Sequence, residues 1–322
     1  DQIKLDTLHF YKTLRDSDPV MRDHKVRGKL ILPGVAYLEM VLEAISILSI
    51  PMPVELSGIH WLEPLVTDKG SVRAMLALST AEQGYDFEVS SPFNDANRKH
   101  AIGRISNKQQ STRLATNRPN IDLEHLKRTL PHCKKETEIY SALADIGLAY
   151  GAYFQTLERL WIGADEALGE VRLSDTQSLD QRYIFHPGLA DGLLQSVIGL
   201  VNLSSEGETI TAVPYALGAL QVFQPLTRHC YAYVKRVGSL SFDITMTNAN
   251  GQVLAFCSEL LFRPLLDKKP LDLYVPVWRA SRALSETRSP AEHFDVVRTL
   301  CIEVGSMANL CQHLVAQYPR IR

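Results

Sequence analysis

DHKVRGKLILPGVAYLEM, running from Asp23 to Met40, decides how this chain is read. One histidine, two glycines and one proline interrupt an apolar stretch and give way to a helix. From Val35 to Leu48 the polar residues Glu39, Glu43 and Ser46 fall at i, i+4 and i+7, which makes one thin stripe. Tyr37, Leu38, Val41, Leu42, Ile45 and Leu48 are apolar. A helix that is apolar around most of its circumference must be wrapped by other structure. The segments that follow, VELSGIHWL, SVRAMLALS, YDFEVSS and HAIGRIS, are strand-like and separated by turn residues. A long helix followed by an antiparallel meander predicts a sheet curled around that helix.

The same order then returns. Residues 106–135, with SNKQQST and TNRPN, are polar and poor in strand formers, and read as a linker. After them come a short helix (ETEIYSALADIG), strand-like LERLWIGADEALGEVRLS, and YIFHPG. A second apolar helix runs from about Leu189 to Val201, and further strands follow, from TAVPYALGALQVF to QVLAFCSELLFRPL. Pro33-Gly34 opens the first helix and Pro187-Gly188 the second, 154 residues later. This is a weak internal duplication rather than a solenoid repeat. The expected class is α+β, with residues 1–105 and 136–266 as two similar halves. Residues 267–322 read as an extended linker and an amphipathic helix, in which Phe294, Val297, Leu300, Val304, Met307, Leu310 and Leu314 step by three or four.

Composition narrows the function. Among 322 residues, 45% are apolar and 22% charged, ordinary values for a globular protein. A net charge of −2 gives no electrostatic reason to expect nucleic acid or an anionic membrane as partner. No apolar run approaches the ~18 residues of a membrane span, and DQIKLDTLHFYKTLRD at the start has no signal-peptide core. Five cysteines without CxxC spacing fit a reducing cytoplasm. The ten histidines show neither HxH nor HExxH, so no metal site is expected.

Two side chains could do chemistry. Read alone, His24 is a partly buried histidine bonded to backbone. Its context adds more: Gly28 and Pro33 restrict the chain, Gly34 permits close approach, and the helix beginning there offers free N–H groups and a positive dipole end. Such an end can hold the negative charge that develops on an enolate-like thioester oxygen. A neutral imidazole, with an ordinary pKa near ~6.5, can accept a proton at neutral pH. Asp191 has Gln195 one turn later on the same helix face. It reads either as a first-turn Asp complementing the helix dipole or as a half-buried acid. The acid role needs a shift of roughly two to three units from ~3.9, which apolar burial can supply and the helix N-terminus opposes.

Taken together, these residues resemble a known family. His24 to Pro33 fits the HxxxGxxxxP motif of dehydratase domains from modular polyketide synthases. Asp191 to Gln195, within HPGLADGLLQ, fits that family's DxxxQ/H motif. Tyr150-Gly151-Ala152-Tyr153-Phe154 resembles its YGPxF motif, with Ala152 in place of the proline. VPYALG from Val213 resembles a further pocket segment. The four matches occur in family order from about Phe10 to Pro264. GVAYLEM and DLYVPVW look most like the trans-acyltransferase branch. The chain has 23 residues before His24, fewer than the family leads one to expect.

The resemblance implies a double hotdog fold, in which two long helices are each wrapped by a curved antiparallel sheet. It implies one site between the halves, with His24 as base, Asp191 as acid and Gln195 as its support. Gly28, Pro33, Gly34, Val35, Tyr150, Gly151, Phe154, Pro187, Val213, Pro214 and Tyr215 are the expected substrate-binding residues. Tyr150, Tyr153 and Phe154 read equally well as core aromatics. The substrate would be a β-hydroxyacyl thioester on the phosphopantetheine arm of an acyl carrier protein, with no cofactor or metal of the domain's own. Neighbouring synthase domains and a homodimer are the further partners implied. The alternatives are a pyran-forming cyclase or double-bond isomerase in the same fold, or a non-catalytic acyl-binding or scaffolding domain.

Overall fold

The computed structural model describes residues 7–265 except 68–69, 94–95, 107–118, 175–176, 178, 180–181, 202–203, 206–207 and 210–211. The first central helix, Gly34–Ile47, shows how the fold begins. Pro33 precedes it in extended conformation (φ −63°, ψ 148°), as its fixed ring favours at a helix entrance. Ser49 ends it by entering the left-handed region at φ 56°, while the Ile50 N–H reaches back to the Ile45 carbonyl at 3.1 Å. Val35, Leu38, Val41, Leu42 and Ile45 are almost fully buried, so the helix is indeed wrapped. The polar stripe is not a solvated face. Glu43 meets Lys12 at 3.0 Å, but Glu39 is buried and accepts the N–H groups of Ile184 and Phe185.

Strands follow one another mostly as an antiparallel meander. The first half holds β1 (Thr7–Arg15), the small β2 (His24–Val26) and β3 (Lys29–Leu30), then β4 (Val54–Trp61), β5 (Ser71–Ala81), β6 (Gly84–Phe93) and β7 (Ala96–Ser106). The second holds β8 (His132–Lys135), β9 (Leu148–Tyr150), β10 (Leu157–Ile162), β11 (Glu166–Arg172), the paired β12 (Ser204–Ser205) and β13 (Glu208–Thr209), β14 (Ala212–Val222), β15 (His229–Gly238), β16 (Ser241–Asn248) and β17 (Val253–Pro264). Among the described residues one 12-stranded sheet runs β1-β5-β6-β7-β4-β14-β17-β16-β15-β11-β10-β8. Its halves meet at β4 and β14, where Leu56 faces Leu220 and Val54 faces Val222. The second central helix is Pro187–Gln195, buried at every residue, and a 3-10 turn, Ser196–Gly199, continues it. This is the double hotdog arrangement, with an α+β composition.

Three segments differ from the sequence reading. The polar opening holds an edge strand: Leu8, Phe10 and Leu14 alternate with exposed residues along β1, a period of two. The expected linker 106–135 contains built structure, the helix Leu123–Thr129 and the strand β8. Asp122 caps that helix by accepting the His125 N–H at 2.9 Å, and Leu123, Leu126 and Leu130 pack with Trp161, Leu168 and Tyr231. The second helix is shorter in α form than expected. Ser196 Oγ donates to the Gly192 carbonyl (3.3 Å) where the geometry tightens. The amphipathic helix expected near residues 291–318 lies outside the described residues.

Candidate active site

The β2–β3 hairpin positions His24. Val26 pairs with Lys29, so Arg27 and Gly28 form a two-residue loop with positive φ of 48° and 78°. That is the mirror-image turn whose twist matches the strands, and glycine adopts it without strain. Gly28 therefore shapes the hairpin and, contrary to expectation, does not line the cavity described below. His24 is 8% exposed and faces Tyr150 across the β2–β9 ladder. Its ring meets Tyr150 and Phe154 edge-on, with centroids 5.4 and 5.5 Å away. Nδ1 lies 2.7 Å from the Ile31 carbonyl oxygen. A carbonyl only accepts, so Nδ1 carries the hydrogen and Nε2 of the neutral ring keeps its lone pair.

Asp23, which the sequence reading passed over, braces this arrangement. Its carboxylate accepts from Arg22 Nε at 2.7 Å and from the Tyr153 N–H at 3.1 Å. The Arg22 guanidinium holds it below the usual carboxylate range. Its carbonyl accepts the Gly151 N–H at 2.8 Å. One residue thus fixes YGAYF against the strand that carries His24. Only its adjacency to His24 could have drawn attention to it.

The second central helix carries Asp191. It presses against Tyr153–Thr156 so closely that a Cβ on Gly192 would lie 2.2 Å from Thr156 Oγ1. His186 caps it, with Nδ1 accepting the Leu189 N–H at 3.4 Å, and burial lowers this imidazole to about 4. Asp191 is 8% exposed. Burial raises its pKa, while the charge of His24 and a hydrogen bond from Gln195 act to lower it. Desolvation is the largest of the three. Gln195 Nε2 donates to Asp191 Oδ2 at 2.8 Å and to the Phe154 carbonyl at 3.3 Å. Tyr140 closes the network. Its hydroxyl accepts the Leu157 N–H (3.0 Å) and shares its hydrogen between Gln195 Oε1 and the Phe154 carbonyl, each at 3.0 Å. No motif marks Tyr140 in the sequence.

His24, Asp191 and Gln195 open onto one cavity of about 230 Å³. Pro33, Gly34, Val35, Tyr150, Val213 and Pro214 also line it. Gly34 and Val35 head the first helix, where N–H groups lack helical partners. Trp61 Nε1 donates to the Gly34 carbonyl at 3.1 Å and places the indole on the cavity wall. The exposed lining residues Leu62, Glu63, Pro64 and Arg263 mark the mouth.

Four further expected residues stand elsewhere. Gly151 packs on Asp23. Phe154 is fully buried behind the His24 ring. Pro187 borders a smaller void with Lys12, Glu39 and Tyr183. Tyr215 is the extra residue of a β-bulge, since Pro214 pairs with Phe262 and Ala216 with Leu261. The bulge turns it beneath the Arg263 guanidinium, 5.5 Å from its ring centre.

Comparison with known proteins agrees with this geometry. The family model for the polyketide synthase dehydratase domain matches residues 2–92, and that for the polyketide synthase dehydratase N-terminal domain matches residues 119–272. Polyketide synthase PksN of Bacillus subtilis is 34% identical over 226 residues, 66% of this chain, and polyketide synthase ThaG of Burkholderia thailandensis is 30% identical over 242 residues, 73% of it. The chain spans about 4% of the length of each. The dehydratase domain from the CurF module of curacin polyketide synthase superposes with a TM-score of 0.74 at 23% identity, covering 83% of this chain and 96% of that one. A trans-AT polyketide synthase dehydratase domain from Brevibacillus brevis gives 0.72 at 22% identity, covering 81% and 95%. With two family models matching residues 2–92 and 119–272 and with His24 and Asp191 brought to one cavity between its halves, the chain belongs to the polyketide synthase dehydratase family.

Proposed function

We propose that this chain removes water from a β-hydroxyacyl thioester carried by an acyl carrier protein. The observation that supports it best is the pairing of states in one apolar cavity. Nε2 of His24 is free to accept a proton, and burial raises the pKa of the Asp191 carboxyl, the direction a proton donor needs. Gly34 and Val35 direct N–H groups toward the thioester oxygen. His24 Nε2 takes the α-proton, and the electron pair of that C–H bond becomes the new double bond. The β-carbon–oxygen bond breaks, Asp191 gives its proton to the departing hydroxyl, and water leaves. Gln195 donates to Oδ2, so Oδ1 is the oxygen that carries the proton. The product is an α,β-unsaturated thioester. The thioester itself is the electron sink, so the step draws on no cofactor beyond the carrier's phosphopantetheine.

The partners in this reading are the carrier protein, neighbouring synthase domains and a second copy of the domain, in the cytoplasm. GVAYLEM and DLYVPVW support a trans-acyltransferase assembly line. The test is mass spectrometry of the protein with a panel of β-hydroxyacyl carrier proteins. Loss of one water from the acyl group is the expected result. An unchanged acyl mass across the panel would reject the reading, and a cyclic ether from a distally hydroxylated substrate would move it to a cyclase.

A further inference from the structure

Strand β7 slips by one residue beside the cavity. Val89 pairs with Ala101 but Ser90 pairs with Lys99, so His100 is the extra residue of a β-bulge. A bulge re-aims the side chain it carries. This one buries His100 beside Ala101, where strict alternation would send one of the two outward. The imidazole lies on the cavity wall, stacked on Tyr37 with ring centres 6.4 Å apart. Nδ1 is 2.9 Å from the Glu63 carbonyl oxygen, and Nε2 is 2.8 Å from Ser91 Oγ. A carbonyl only accepts, so Nδ1 bears a hydrogen. Burial pushes the pKa of the ring down and favours its neutral form. Nε2 then has a lone pair, and the Ser91 hydroxyl donates to it. Ser91 is buried behind the ring and does not line the cavity, so it is no nucleophile toward a molecule held there.

The pair instead holds a segment of backbone. The Leu62 N–H donates to the His100 carbonyl at 2.8 Å, and the Glu63 carbonyl takes the imidazole hydrogen. The Leu65 N–H donates to the Tyr37 hydroxyl at 3.2 Å. This segment lies against the strand that orients the base. The Leu32 N–H donates to the Leu65 carbonyl at 3.0 Å, and Ile31 bridges to Val66. The Ile31 carbonyl is the acceptor that keeps the hydrogen of His24 on Nδ1. We infer that Ser91 and His100 are positioning residues for His24: they pin residues 62–66, and that segment sets where Ile31 places its carbonyl. An imidazole suits the task because its two nitrogens are coupled. The hydroxyl that fills Nε2 keeps the hydrogen on Nδ1, facing Glu63. The inference rests on the dehydration reading for the role of His24 as base, while the chain of hydrogen bonds involves no substrate.

Nitrogen NMR of the full chain, labelled in its histidine rings and held at a pH where they are neutral, tests this. It tells a ring nitrogen that bears hydrogen from one with a lone pair. The His24 signals are those missing from His24→Gln. His100→Asn sets an amide N–H where Nδ1 stood and can still donate to Glu63. His100→Gln reaches Ser91 but carries its amide past that carbonyl. Ser91→Ala leaves the imidazole free to take either tautomer. His24 should keep its hydrogen on Nδ1 in the wild type and in His100→Asn, and should show mixed tautomers in His100→Gln and Ser91→Ala. With a β-hydroxyacyl carrier protein, kcat should stay within about twofold in His100→Asn and fall about fivefold to tenfold in His100→Gln, the scale of one hydrogen bond. A purely structural role would lower the unfolding temperature and leave the His24 signals in place. Unchanged His24 signals in His100→Gln or in Ser91→Ala overturn the inference, as does a His100→Asn no better than His100→Gln. If His100→Gln does not fold, Ser91→Ala decides by the same signals. A wild type that shows the tautomer response but dehydrates nothing defeats the dehydration reading instead.

Discussion

Gln195 is held between groups that leave its amide one orientation. The Phe154 carbonyl only accepts, so the amide NH2 must face it, and the Tyr140 hydroxyl holds the amide oxygen on the other side. The remaining N–H is directed at Asp191 Oδ2. His24→Ala and Asp191→Asn should each lower turnover by about 10²–10⁴, the range for a lost general base or acid, without altering the unfolding temperature by more than a few degrees. Steady-state kinetics and a melting curve on the same sample check both parts. Gln195→Ala should lose less rate and also move the pH profile. Its hydrogen bond favours the carboxylate, so removing it raises the Asp191 pKa further. An acid must be protonated to act, so the alkaline limb of kcat should shift upward in pH. A limb that stayed in place or moved down would contradict the role given to Gln195. Tyr140→Phe should cost about fivefold to tenfold, the scale of one hydrogen bond. At this scale the motifs showed where to look for His24, Asp191 and Gln195. Tyr140 and Asp23 stayed hidden because their partners, Gln195 and the Tyr153 N–H, are distant in sequence and meet them only after folding.

The elements owe their positions to burial more than to propensity. Leu42 is fully buried in the first central helix, and Leu42→Ala should destabilise the protein by about 2–5 kcal/mol. Denaturant unfolding measures this, and a loss under 1 kcal/mol would mean that the wrapping described here is wrong. Both central helices were legible because an apolar circumference and a Pro-Gly entrance are local signals. The helix Leu123–Thr129 was not. Its polar residues dominate the composition, and its few apolar ones, Leu123 and Leu126, matter only once Trp161 and Tyr231 are beside them. The bulge at Tyr215 was equally silent, since a slip of one residue in a ladder depends on the partner strand. It reversed the expected direction of one pocket residue.

Across the whole molecule, Glu39 joins the two halves through the backbone of Ile184 and Phe185. Burial raises its carboxyl from the ordinary 4.5 to about 7, and the two N–H groups only partly offset this. The folded protein therefore keeps a proton that the unfolded chain releases in that interval. The contribution of this group to stability is full below pH 4.5, declines as pH rises and is gone above about 7. The expected size is on the order of 3 kcal/mol. Unfolding free energies from pH 5 to 8 should fall more steeply in the wild type than in Glu39→Gln, and parallel curves would refute the assignment. The paired halves could be read from the repeated helix-then-strands order, but their junction could not. Nothing local says that β4 and β14 are neighbours. That seam has its own consequence. A half made alone would present a long raw backbone ladder, lined with the apolar side chains that its sister strand now covers. Such a fragment would stick to its own copies, so the two halves are stable only in tandem.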